Sequence, residues 1–222
     1  MIFPTTLPDP SKLKAIMQSM ATLDAIFCPE WQYRYYSFDT DWGPSEQMGS
    51  IRNGSGDDLF VLFNDSGCFL KGFSHEFSQQ EFTPDMFYKN VPDAFKAAVS
   101  EPAFSTQNVS FCAWHTVGHD GWENSVQDRD LDSNVFFLIQ DLDGKASTYV
   151  KFLADYHEME ANLGSIQTVF DQKLMTRDLA VALNSEIDFS SLVSDLKQIG
   201  YPYEKLPEGK RTNFLRKLFD RD

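Results

Sequence analysis

A chain of 222 residues that is 42% hydrophobic and 14% aromatic carries the apolar surface of one large domain, or of a main domain with a small appendage, which excludes a disordered chain. Its formal charge of -14 repels phosphate backbones and anionic lipid heads, so no nucleic-acid or membrane partner is expected; a basic protein is the favoured partner. The cysteines, Cys28, Cys68 and Cys112, are three, far apart and without a CxxC, which excludes a disulfide framework and a zinc ribbon.

Residues 1–10 contain three prolines and no basic n-region, so no secretory signal is expected there. The longest purely apolar run, Val135 to Ile139, falls far short of the roughly 20 residues a membrane span needs. With unpaired cysteines, this points to a cytoplasmic, reducing location.

In chain order, Ser11 follows Pro10 as an N-cap, and Leu13, Ile16, Met17, Met20, Leu23 and Phe27 recur at helical spacing until Pro29 ends the pattern. Residues 31–38 and 47–52 read as strands. Residues 59–63 read as a buried strand and 68–73 as another, separated by turns at 53–58 and 64–67. Pro92 opens a short helix that Pro102 stops, and 109–115 alternates as one more strand. Residues 133–140 fit strand by composition, yet Ser133 is also a fair N-cap; 148–159 is helical by pattern. Helical patterns then follow at about 165–175, 177–183 and 189–199, with Gly200 as a left-handed cap, and a last helix is expected over 211–219. Strands grouped before helices indicate an α+β fold: an N-terminal helix, an antiparallel β-meander core and a helical C-terminal region. The boundary falls near 161–164, dividing a main domain (1–162) from a helical extension (163–222) packed on it.

Charge is uneven. Residues 117–143 hold seven acids against Arg129, whereas 204–222 hold six bases against four acids, an asymmetry that could seat the tail on the body or join two copies. Within the acidic stretch His115, His119, Asp120 and Glu123 could surround a divalent ion, although Gly118 and Gly121 break any helix and the glutamate of an HExxH motif is missing. Asp128, Asp130 and Asp132 imitate the first positions of a calcium loop, but Ser133 and Ile139 stand where glycine and glutamate are required. The glycine-rich residues 53–56 are followed by Asp57 and Asp58, which would repel a phosphate, so they read as a turn. His75 and Glu76 could pair as base and orienter, without a nucleophile in view. No cofactor is expected.

Residues 48–58 (MGSIRNGSGDD), 63–76 (FNDSGCFLKGFSHE) and 101–105 (EPAFS) resemble the conserved segments of a family of uncharacterised bacterial proteins, as does IGYP at 199–202. The resemblance implies a bacterial, cytoplasmic, stand-alone protein and brings no activity with it. Arg52, Asp57, Asp58, Lys71, His75 and Glu76 fall on turns and strand ends of one meander, where a binding site is expected; their plainer reading is an ion-pair network of Arg52 with the two aspartates.

Three functions follow. The favoured one is a non-catalytic, acidic, immunity-like module that captures a basic protein. The others are a metal-assisted hydrolase built on the His115/His119 loop, and a homodimeric regulatory or structural protein.

Overall fold

A computed structural model describes residues 7–76, 82–126 and 133–207. The expected helix 211–219, most of the basic tail, and Asp128, Asp130 and Asp132 lie outside the described residues, and so does the side chain of Ser133.

The chain opens with α1 (Pro10–Phe27), followed by a 3-10 turn at Trp31–Tyr33. Four strands come next: β1 (Tyr36–Gly43), β2 (Glu46–Arg52), β3 (Asp58–Asn64) and β4 (Gly67–Phe73). Short helices α2 (Pro84–Tyr88) and α3 (Lys96–Val99) lead to β5 (Phe111–Thr116). Helices α4 (Phe137–Gln140), α5 (Ala146–Tyr156), α6 (Leu163–Phe170), α7 (Arg177–Leu183) and α8 (Phe189–Ile199) complete the described chain. The sheet is an antiparallel meander in the order β1-β2-β3-β4-β5, so the fold is α+β with an N-terminal helix and C-terminal helices. Among the described residues, no helix is long and apolar enough to cross a membrane.

Both faces of the sheet are covered, which is why β3 is buried from Leu59 to Phe63 instead of alternating. The register aligns Phe38, Gly49, Val61, Leu70 and Ala113 on one face. Except for Gly49, these join α1, α5, α6 and α8 in the larger core. Gly49 lies where α1 crosses β2, and a Cβ there would stand 2.5 Å from the Met17 methyl. Met48, Leu62, Phe69 and Trp114 face the other way, against Phe87 of α2, Ala98 of α3, Phe95 and Phe104.

α1 is buried on nearly every side, so its polar residues need partners inside. Gln18 Nε2 donates to Ile199 O at 2.8 Å, and Ser19 Oγ donates to Val169 O at 3.1 Å. The helix starts two residues earlier than an N-cap at Ser11 predicts. Pro10 takes the first helical position, and Asp9 Oδ1 accepts Lys12 N at 3.0 Å as the cap. Arg34, also buried, holds α8 in place. Its Nη1 and Nη2 donate bidentately to Asp195 at 2.9 and 2.8 Å, and Nε and Nη2 reach the carbonyls of Cys28 and Pro29.

Residues 31–33, dense in aromatics, form a 3-10 turn and not the predicted strand; β1 begins at Tyr36. The ambiguous 133–140 segment is helical, a 3-10 turn leading into α4. α7 and α8 fall at 177–183 and 189–199. Gly200 closes α8 at φ 72°, and a Cβ there would come within 2.5 Å of Thr40 Cγ2. Gly200→Ala is therefore expected to destabilise the protein by about 1–2 kcal/mol, read as a lower urea midpoint at unchanged m.

Candidate binding site

The turn between β2 and β3 is organised by Asn53. Its Oδ1 accepts the amides of Ser55 (2.9 Å) and Asp57 (3.1 Å), while Gly54 and Gly56 adopt positive φ of 73° and 108°. Asn53 Nδ2 donates to Asp57 Oδ2 at 2.5 Å. Asp57 Oδ1 accepts the His75 amide at 2.7 Å and lies 2.8 Å from His75 Nδ1. Burial pushes the Asp57 carboxyl up, but the bonds from the His75 amide and ring and from Asn53 outweigh it and hold the pKa below the ordinary value. Asp57 thus orients the imidazole. Glu76 stands at the rim, its Oε1 4.0 Å from His75 Nε2.

Asp58 takes another partner. It is the register partner of Arg52, yet its Oδ1 accepts Lys71 Nζ at 2.6 Å. Lys71 is sealed from solvent, with Nζ 5.6 and 5.8 Å from the ring centres of Phe60 and Phe73. Arg52 belongs to neither pair: its guanidinium lies 4.5 Å over the Trp31 ring. The six expected site residues therefore form three separate arrangements, and the predicted network of Arg52 with both aspartates does not form. Burial separates them. Asp58 follows the strand face where Lys71 must be neutralised, and Asp57 follows the turn.

The thiols offer no activated nucleophile. Burial raises the pKa of Cys68 and Cys112, and burial followed by the Asp24 charge raises that of Cys28.

The loop after β5 does not gather its expected ligands. His115 meets Trp122 edge-on at 5.8 Å, while Glu123 Oε2 accepts Trp114 Nε1 at 2.9 Å. Trp114 is held in the opposite core from that of Ala113, its strand neighbour. His119 and Asp120 are exposed in the turn. Among the described residues, no group of three or more histidines, cysteines or carboxylates is placed to hold a metal ion.

That loop does share an end of the sheet with other acids. Thr116 pairs with Gly67, and Gln47 with Phe63, so the β1–β2 and β3–β4 turns and the loop after β5 emerge together. Asp41, Glu46 and Asp65 line a groove of about 340 Å³ there, with Lys14 as its cation. Asp120 lies on the adjoining loop. Composition reveals the excess acid, but only the fold shows that acids 41, 46 and 65 share one groove and that the loop carrying Asp120 emerges at the same end of the sheet.

Comparison with protein-family models, with curated proteins and with solved structures finds no match to the chain.

Proposed function

We propose that this chain is an acidic protein-interaction module, immunity-like in character, that captures a basic protein at the acidic end of its sheet. The observation that carries this reading is the groove that Asp41, Glu46 and Asp65 line, at the end of the sheet from which the Asp120 loop also emerges. Carboxylates on one rim of a protein with charge -14 sum their fields, which speeds encounter with a cationic surface and orients it. The resemblance of residues 48–58, 63–76 and 101–105 adds a bacterial, cytoplasmic setting to the proposal.

The test is retention of a host protein at low salt on the immobilised chain. A stoichiometric basic protein should bind and elute near about 0.5 M salt, where screening is short-ranged. Asp41→Asn, Glu46→Gln and Asp65→Asn together should slow its association at least about tenfold and flatten the salt dependence. An association rate unchanged in the triple variant would remove the acidic rim from the interface, and an empty column would remove the function.

A further inference from the structure

At the other end of the sheet, where β2 runs out into the Asn53 turn, a cavity of about 440 Å³ opens among Cys28, Tyr33, Arg34, Arg52, Tyr156 and His157. Its volume falls within the range of small-molecule sites, and the cation Arg52 in its wall is uncommitted. Among the described residues, the Arg52 side chain makes no hydrogen bond or ion pair, although the chain carries 33 acids. Half-buried, its charge is penalised by desolvation with no carboxylate to offset it. The second cation, Arg34, is spent on Asp195 and two carbonyls.

The walls are aromatic and held in place. Tyr156 stacks on Phe152 at 5.3 Å, meets Tyr35 edge-on at 5.1 Å and donates from its hydroxyl to Asn53 O at 3.2 Å. Trp31, under the guanidinium, and Tyr33 are 53% and 63% exposed, so large flat surfaces face solvent beside the cation. His157 keeps a buried Nε2 that no protein group satisfies.

We infer that this cavity is a binding site for a small aromatic carboxylate. Trp31 covers one face of the guanidinium and leaves its edge, the fork that matches a planar carboxylate bidentately. One uncommitted cation balances one negative charge, which selects a carboxylate over a phosphate dianion. Tyr33 and Tyr156 take the ring that carries it. The site is separate from the acidic rim and does not depend on a protein partner there.

Calorimetric titration of the 222-residue chain with 2-naphthoate, its neutral amide and 2-naphthyl phosphate tests this. Saturable one-to-one binding of the naphthoate is expected, with the amide at least about tenfold weaker, a step of about 1.4 kcal/mol. Arg52→Gln should weaken naphthoate binding by a similar factor, and Arg52→Lys, which keeps charge but loses the fork, by several-fold. Arg52 is half-exposed, and equal melting temperatures establish that the variants fold. The wild-type acid–amide comparison needs no variant. No saturable binding of the naphthoate, equal affinity for acid and amide, or tighter binding of the phosphate ester overturns the assignment.

Discussion

Asp58→Ala is expected to destabilise the protein by about 3–5 kcal/mol, because it strands a charged lysine in the core between the sheet and α2 and α3. Lys71 is fully buried and its Nζ bonds Asp58 at 2.6 Å; Phe60 and Phe73 around it offer only their ring faces. Desolvation dominates both partners: it lowers the Lys71 pKa and raises that of Asp58, and each charge offsets the penalty on the other. The pair is thus costly to break and replaceable as a unit. Lys71→Met combined with Asp58→Leu should be less damaging than Asp58→Ala alone, a coupling that a double-mutant cycle in urea reads directly. In Asp58→Ala the folded lysine's pKa falls further below its unfolded value. The unfolded chain then binds more protons between those two values, so the variant should regain stability as pH rises through that window. An Asp58→Ala loss below about 1 kcal/mol would show that Lys71 finds another partner.

The meander was legible because its turns carry Asn, Asp, Gly and Ser at short intervals between β-rich runs, and α7, α8 and Gly200 because their periodicity and cap are local signals. Local signals also misled. Residues 31–33 have strand composition, but Glu30 and Arg34 bracket a 3-10 turn whose aromatic rings stay outside. α2 escaped notice because five residues cannot show a period. For the site, sequence proximity located the Asn53 turn, and Asp57 and His75 do meet there. It could not show that Asp58 faces Lys71 across β3 and β4, or that Arg52 leaves both aspartates for Trp31. Nor could it bring Tyr156, 103 residues from Asn53, to the same cavity. The first comes from the β3–β4 register, and the other two from how the segment after α1 and helix α5 come together at the end of β2, which no spacing within the chain encodes.

Asp24 carries the second large effect. It lies in the last turn of α1, fully buried, where a charged residue is hard to place. Oδ2 accepts the amides of Tyr35 (2.8 Å) and Tyr36 (2.7 Å), which enter β1, and Oδ1 accepts the Tyr149 hydroxyl of α5 at 2.6 Å. One carboxyl thus ties the helix, the first strand and α5. Asp24→Ala leaves two amides and a hydroxyl buried without an acceptor, and a loss of about 3–5 kcal/mol is expected. The pH dependence distinguishes the carboxyl from a mere spacer. Burial raises its pKa from 3.8 to about 6, against the three hydrogen bonds and the Arg34 charge, which lower it. The folded protein therefore holds a proton there that the unfolded chain has released. That contribution to stability is complete below the unfolded pKa and is lost as pH rises through about 6, amounting to roughly 2–3 kcal/mol. Asp57 and Asp143, whose pKa values are lowered, contribute the opposite slope, so wild type alone does not isolate Asp24. The difference between wild type and Asp24→Asn does, because the amide keeps an acceptor for the strand and does not titrate. Wild type should gain on Asp24→Asn as pH falls from 7.5 to 4.5, by roughly 2 kcal/mol in urea unfolding. A constant difference across that range would mean that the three donors hold Asp24 ionised throughout, and that hydrogen bonding, not desolvation, governs the centre of this core.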